Sequence, residues 1–99
     1  MYQVFYLDEV ENDIAEAKWW YAEQQTGLDA SFAAAVKETI TKIVKMPSAY
    51  AVRYRNVRIV HTKIFLYNVH FYIDDEKAQV VIIGIIHNKR SNALFLDRL

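Results

Sequence analysis

Residues 64–90 read IFLYNVHFYIDDEKAQVVIIGIIHNKR and contain the longest apolar, β-branched and aromatic stretch of the 99-residue chain. Two apolar runs, Ile64–Ile73 and Ala78–Ile86, flank the polar tetrapeptide Asp74–Lys77. This layout predicts a β-hairpin with a four-residue loop. The second run is apolar on both faces, so we expect it to be a central strand that is covered on both sides.

Upstream of this hairpin, the sequence predicts a short strand and a first helix. The strand covers Tyr2–Leu7, which is rich in aromatic and β-branched residues. Asp8 is a good N-cap, and Glu11 three residues later completes a capping-box pattern. The helix should run to about Gln25 and be terminated by Gly27 in a left-handed conformation.

A second helix and two more strands follow. We expect the helix to start after Leu28, with Asp29 or Ser31 as its cap, and to end at Pro47. The strands are predicted at 52–54 and 57–62, separated by a tight turn at Arg55-Asn56. The last residues, 91–99, are amphipathic but too short to form a stable helix unless they dock on the rest of the chain.

This order of elements predicts one α+β domain over residues 1–99. An N-terminal strand and a helical hairpin should pack on one face of a twisted antiparallel sheet of four to five strands.

Composition and charge exclude several classes of protein. The chain has no cysteine, two glycines and no net charge, so we expect no disulfides, no Gly-rich phosphate loop, no cofactor and a cytoplasmic location. No apolar run approaches the roughly 18 residues that a membrane span requires. Residues 1–36 hold seven acids and one base, whereas residues 37–63 hold seven bases and one acid. One surface should therefore be acidic and another basic, and the basic one is suited to an anionic partner.

A polar cluster at the end of the second apolar run is a candidate site. His87, Lys89 and Arg90 follow the nine uncharged residues 78–86. Imidazole titrates near neutral pH and guanidinium binds phosphate bidentately, so the trio suits acid–base chemistry or phosphate binding. A solvated strand end is the alternative interpretation. The three histidines lack metal-binding spacing, and we predict no metal site.

Two further groups of residues suggest contacts with partners. Arg53, Arg55 and Arg58 alternate along the predicted hairpin and point partly to one face. They suit contact with nucleic acid or an acidic protein, or protection of a sheet edge from aggregation. Trp19 and Trp20 are adjacent on the first helix, whose core stripe can use only one of them. The other is a candidate anchor for a protein partner.

Over nearly all of its length the chain resembles the RelE/ParE superfamily of type II toxin–antitoxin toxins, often called plasmid stabilisation proteins. No single motif carries the likeness, which lies in the order and spacing of many residues: Trp20, Tyr21, Gln25, Gly27, Leu28, Phe32, Val36, Ile43, Pro47, Tyr50, the strand pair Val57-Arg58, Phe65-Leu66-Tyr67 where the family often shows Phe-Pro-Tyr, Val69–Ile73 and Ile85–Ser91.

The resemblance implies a small cytoplasmic toxin that is held inactive by a cognate antitoxin, which we expect to cover Trp19 or Trp20. RelE-like members of the superfamily enter the ribosomal A site and cleave mRNA. ParE-like members bind DNA gyrase and poison it without being enzymes. A third possibility is a toxin-fold protein that has lost toxicity. We also expect that the free chain can form a homodimer through exposed apolar surface.

Comparison of these alternatives favours the ParE-like interpretation. By alignment, strand arginines that RelE-like nucleases use fall near Asn68 and Asn88, and the C-terminal aromatic acid/base falls near Leu94 and Phe95. None of these side chains suits that role, and the chain lacks the net positive charge expected of a toxin that enters the ribosome.

A RelE-like nuclease would have to rely on other residues. Metal-independent RNA cleavage needs a base, an acid and cations for the phosphate. The available set is His87, Arg90 and Arg58, which we expect to converge at one end of the sheet. His70 would assist from the sheet face, and Arg53, Arg55 and Lys89 would bind the target or its phosphates.

Overall fold

The computed structural model describes residues 2–99, apart from the side chain of Leu94. Within that range it has two α-helices, five strands and two 3-10 helices: β1 (Gln3–Tyr6), α1 (Asp8–Gln24), α2 (Leu28–Lys45), a 3-10 turn (Pro47–Ala49), β2 (Val52–Tyr54), β3 (Val57–His61), β4 (Tyr67–Asp74), β5 (Gln79–His87) and a C-terminal segment (Asn92–Arg98). The predicted α+β architecture is confirmed. No helix of residues 2–99 is long and apolar enough to cross a membrane.

The strands form one sheet in the order β1-β5-β4-β3-β2. All pairs are antiparallel except β1 and β5, which run parallel from Gln3 beside Gln79 to Tyr6 beside Ile82. The sheet is therefore mixed rather than wholly antiparallel. A parallel pair requires a long connection, and the helical hairpin together with β2–β4 supplies it.

Strand β5 is a buried inner strand of the sheet, as its sequence predicts. It lies between β1 and β4, and every residue from Val80 to Ile86 is buried. The predicted four-residue hairpin loop is confirmed, but it lies at 75–78 rather than 74–77, because Asp74 is still part of β4. Strand β4 begins at Tyr67 rather than Ile64, because residues 63–66 form a bend in which Ile64 has a φ of 75°.

The helix starts differ from the predicted caps. Helix α1 has Leu7 at its N-cap and α2 has Gly27, and neither start has a side-chain capping hydrogen bond. The proposed capping by Asp8, Asp29 or Ser31 is thus wrong. Leu7 is fixed by the sheet, because its N–H donates to the Ile82 carbonyl at 3.1 Å while its own carbonyl accepts from Val10 at 3.0 Å. The left-handed conformation predicted for Gly27 is confirmed, with a φ of 90°.

The two faces of the sheet are covered by different parts of the chain. The helical hairpin covers one face and packs on β4 and β5; its buried apolar residues are Val10, Ala17, Phe32, Val36, Ile40 and Ile43. The C-terminal segment covers part of the opposite face, where Phe95 is fully buried. The C-terminal residues thus dock on the sheet, as their shortness and amphipathic pattern require for a stable helical segment.

Phe95 lies against a β-bulge in β5. His70 pairs with Gly84 and Phe71 with Ile82, so Ile83 is an additional residue in β5. A Cβ atom at position 84 would lie 2.2 Å from Cζ of Phe95. Glycine is therefore required at this position because the aromatic ring approaches the strand so closely.

The C-terminal segment is also held by an ion pair to α1. Arg98 donates to both carboxylate oxygens of Asp13, at 2.6 and 3.0 Å, and to the Ile83 carbonyl at 2.9 Å. Asp13 also accepts from the Ile85 N–H at 3.1 Å. Both side chains are mostly buried, with 15% of Arg98 and 12% of Asp13 exposed. The pair therefore hydrogen-bonds the backbone groups of β5 that β1 does not reach, namely the Ile85 N–H and the Ile83 carbonyl.

We expect Gly84→Ala to lower the free energy of unfolding by about 1–3 kcal/mol, because the added methyl group overlaps the Phe95 ring. Urea unfolding measures this loss. Adding Phe95→Leu should recover part of the Gly84→Ala loss, since the smaller side chain makes room. A double variant whose loss is the sum of the two single losses would contradict this account.

We expect Asp13→Asn to cost about 2–4 kcal/mol, because it leaves the Arg98 guanidinium without its carboxylate in a mostly buried position. Limited proteolysis should then cleave near the C-terminal segment faster than in the wild type. Asp97→Asn is the matched control, since Asp97 is exposed. Equal cleavage rates in the two variants would show that Asp13 does not hold the segment.

Candidate functional site

A groove of about 820 Å³ lies between α1 and the ends of β4 and β5; we call it the α1–β5 groove. Its functional side chains come from elements distant in sequence: Glu16 and Trp20 from α1, Tyr67 from β4, and His87 and Arg90 from the end of β5 and the turn after it. The structure thus brings together two of the predicted site residues, His87 and Arg90.

The end of β5 orients His87. It pairs with Tyr67 across the sheet, and the two rings meet edge to face with centroids 5.3 Å apart. The Lys89 N–H donates to Nδ1 of His87 at 3.2 Å, and the Arg90 N–H donates to the His87 carbonyl at 3.0 Å. Because Nδ1 accepts a hydrogen bond, a neutral His87 carries its proton on Nε2. The imidazole in this tautomer is a hydrogen-bond donor to the groove.

The charges around the groove affect the pKa of the Tyr67 phenol. Burial raises its pKa, the positive charge of Arg90 lowers it, and the negative charge of Glu16 raises it. The net shift is upward, so Tyr67 is protonated at neutral pH. Glu16 itself accepts from the side-chain amide of Asn12 at 3.3 Å. His87, Tyr67 and Arg90 together make the strand side of the groove a set of donors suited to an anion or to carbonyl oxygens.

Arg58 does not join this cluster, and the predicted convergence with His87 and Arg90 is wrong. Arg58 pairs with Phe71 of β4, whereas His87 pairs with Tyr67, four residues away along the same strand. That separation is about 13 Å at the rise of a β-strand. The Arg58 guanidinium instead donates to the carbonyls of Tyr50, at 2.5 Å, and Ser48, at 3.3 Å. It therefore holds the segment that follows α2.

The other predicted arginines lie at the far edge of the sheet. Arg53 is an exposed residue of β2, and Arg55 lies in the following turn with a φ of 49°. Strands β3 and β4 separate them from β5. Arg53 and Arg55 do not form one basic patch with Arg58, because the Arg58 side chain is hydrogen-bonded to backbone carbonyls of residues 48–50. Lys89 is exposed beside His87, so the predicted target-binding residues are divided between two places.

Both tryptophans of α1 are exposed, Trp19 by 68% and Trp20 by 52%. The expectation that one of them packs into the core is wrong, since Val10 and Ala17 fill that face. Trp20 contacts the edge of Tyr21 at a centroid distance of 5.1 Å and lines the α1–β5 groove. Ile64, 87% exposed, and Leu66, 55% exposed, line the same groove. Its rim is consequently apolar.

His70 is buried rather than available on the sheet face. It is fully covered, and its ring meets the Phe95 ring edge to face at 4.9 Å. Its Nδ1 is hydrogen-bonded to the Tyr54 hydroxyl at 2.9 Å. Burial, assisted by the positive charge of Arg53, lowers the pKa of His70 to about 4. It is thus a neutral core residue at physiological pH, and the assisting role predicted for it is wrong.

The structure adds one arrangement that sequence reasoning did not find. The exposed His61 and the buried Asn68 face each other across β3 and β4, and Nδ1 of His61 is hydrogen-bonded to Oδ1 of Asn68. An amide oxygen only accepts, so Nδ1 carries the proton and Nε2 is left as an acceptor toward solvent. Asn68 on an otherwise apolar strand was the sequence signal for this pair. No group of three potential metal ligands occurs in residues 2–99.

Comparisons with known proteins identify the family of this chain and agree with its α+β fold. A family model described as ParE toxin of type II toxin-antitoxin system, parDE, matches residues 4–92. A search of curated proteins finds no match. The chain is a member of the RelE/ParE superfamily of toxins. Within it, the chain belongs to the ParE toxin family.

Solved structures of several bacterial toxins share the fold. The chromosomal ParDE system of P. aeruginosa superposes with a TM-score of 0.70 at 14% identity, over 88% of this chain and 96% of that one. The isolated E. coli RelE toxin gives 0.61 at 13% identity, over 95% and 92%. The M. tuberculosis RelBE2 toxin–antitoxin complex gives 0.60 at 19% identity, over 87% and 96%. ParE-like and RelE-like structures are thus both similar to this chain.

The lowered pKa of His70 predicts a specific loss of stability in mild acid. The unfolded chain takes up this proton near pH 6.5, whereas the folded chain does so only near pH 4. Stability from this residue is therefore complete above pH 6.5 and declines as the pH falls to 4, by on the order of 3 kcal/mol. Urea unfolding between pH 7 and 4 should show a smaller decline in His70→Gln. Identical declines in both proteins would contradict a neutral, buried His70.

Proposed function

We propose that this protein is a ParE-like toxin that binds and inhibits DNA gyrase in the cytoplasm and is not itself an enzyme. Its membership of the ParE toxin family supports this proposal. The α1–β5 groove supports it further, because its strand side presents donors from His87, Tyr67 and Arg90. Such a surface is suited to binding a partner through hydrogen bonds and charge.

We further propose that a cognate antitoxin neutralises the toxin by covering the apolar rim of the groove. Trp20, Ile64 and Leu66 line this groove and are large, exposed and apolar, and the exposed Trp19 precedes Trp20 on α1. Exposed aromatic residues in a cluster of this kind are typical anchors of protein interfaces. The P. aeruginosa ParDE system and the M. tuberculosis RelBE2 complex, both similar in fold, support an antitoxin as the partner.

One observation favours a second candidate function, a RelE-like endoribonuclease. The buried Asn68 amide oxygen binds Nδ1 of the exposed His61, so that in the neutral imidazole the free lone pair lies on Nε2. A histidine held in this tautomer is suited to accept the proton of an RNA 2′-hydroxyl. Arg53 and Lys63, which are close to His61 in the sequence and are both exposed, would be the cations of such a site. In this alternative the base would be His61 rather than the predicted His87.

Two assays on purified toxin free of antitoxin distinguish these functions: supercoiling by DNA gyrase, and cleavage of mRNA on programmed ribosomes. We expect supercoiling to be inhibited while mRNA stays intact. Arg90→Ala should weaken inhibition by about tenfold, because a charged donor in the groove is lost, whereas His61→Ala should leave it unchanged.

Cleavage of mRNA that is lost in His61→Ala would overturn the gyrase proposal in favour of the nuclease. Absence of both activities would also overturn it, and would indicate a toxin fold without toxicity. Arg55→Ala is the matched control for Arg90→Ala, since it removes an exposed arginine at the other side of the sheet.

A further inference from the structure

Strand β1 forms an edge of the sheet that is not protected by charge, proline or a bulge. Its four residues, Gln3–Tyr6, include no charge and no proline. Val4, Phe5 and Tyr6 are exposed by 37%, 50% and 45%. Sheet edges are normally protected by charges, prolines, bulges or short strands.

The opposite edge of the same sheet has that protection. Strand β2 has three residues, carries Arg53 at its centre and is followed by Arg55. Its pairing with β3 is irregular between Val52 and Tyr54. The two edges therefore differ, and only β1 offers an unprotected apolar strand.

The backbone of β1 has hydrogen-bonding groups that point away from the sheet. The N–H groups of Gln3 and Leu7 donate to β5, at the carbonyls of Ala78 and Ile82. Alternate residues of a strand point their backbone groups to opposite sides. Val4 and Tyr6 therefore direct theirs outward.

We propose that β1 pairs antiparallel with β1 of a second copy of this chain, so that two sheets join into one. A twofold axis through Phe5 sets Val4 of each copy opposite Tyr6 of the other. Each of these two pairs exchanges two N–H···O=C bonds, which gives four in total. The two Phe5 side chains meet on the face opposite the helices, and an aromatic residue faces a β-branched one on the helix face.

The surface beside β1 has the charge pattern that such a dimer needs. An apolar groove of about 800 Å³ lies between β1, α1 and α2, and includes Val4 and Tyr6. Its charged lining consists of Asp8 and Glu11 from α1 and Lys37 and Lys45 from α2. Antiparallel pairing places the acidic first turns of the two α1 helices at opposite ends of the paired strands. Like charges are thus kept apart, and a carboxylate of one copy can face a lysine of the other, as an isologous interface requires.

Sedimentation velocity of the full chain, free of antitoxin, over a wide range of concentrations tests this dimer. We expect a reversible monomer–dimer equilibrium. Val4→Lys should raise the dissociation constant by about tenfold or more, because it places a charge next to the twofold axis in both copies. Val52→Lys is the matched control: it adds the same charge at an exposed valine of the opposite edge and should leave the equilibrium unchanged.

A second variant separates loss of pairing from loss of folding. Val4→Pro removes only an outward N–H, so the bonds from β1 to β5 remain and circular dichroism should be native, yet the dimer should be lost. A wild type that stays monomeric throughout would overturn the proposal, as would equal weakening by Val52→Lys. A monomeric wild type whose antitoxin affinity falls in Val4→Lys would assign the edge to the antitoxin instead. None of these outcomes depends on whether gyrase is the target.

Discussion

The carboxylate of Asp13 accepts a hydrogen bond from the part of the β5 backbone that β1 does not reach. Strand β1 ends at Tyr6, opposite Ile82, and the chain turns directly into α1. Beyond that point the backbone of β5 would have an unpaired edge inside the protein, at a cost comparable to lost hydrogen bonds. Asp13 accepts from the Ile85 N–H, and Arg98 donates to the Ile83 carbonyl. Because these two side chains also bind each other, the edge, α1 and the C-terminal segment form one unit.

The same unit explains why the sheet tolerates polar residues on the face opposite the helices. Arg98 lies over the Phe95 ring at 4.4 Å, and Phe95 in turn covers Gly84 and His70. The bulge in β5 places Gly84 under the ring, where no side chain would fit. His70 is kept neutral by this cover and satisfied at Nδ1 by Tyr54. The C-terminal segment thus completes a core that the sheet and the helices alone would leave open.

The placement of charge separates the functional surfaces of this toxin fold. Arg90 reaches the α1–β5 groove from the turn after β5, and Arg98 reaches it from the C-terminal segment. Arg53 and Arg55 lie beyond two intervening strands, and Arg58 binds the backbone after α2. A single composite catalytic site from all of them is therefore geometrically excluded. The uncharged edge at β1 lies on the other side of α1 from this groove. The α1–β5 groove and the β1 edge are consequently two separate surfaces of one small domain.

By itself, the sequence determined the α+β class, the helical hairpin, the buried inner strand β5 and the polar cluster at its end. These features follow from local patterns, namely period-two and period-three-to-four apolar spacing and a turn of polar residues. Gly27 was predictable for the same reason, since only a left-handed residue fits between the helices there.

The tertiary structure alone decided which distant residues meet. The Asp13–Arg98 pair spans 85 positions, and the separation of Arg58 from His87 depends on strand register. Neither leaves a periodic signal in the chain. The burial of His70 and the exposure of Trp20 were likewise decided by which side chains cover each face of the sheet. Residue type and spacing define the helices and strands. Packing between them decides which side chains meet, which histidine stays neutral and how far each tryptophan is exposed.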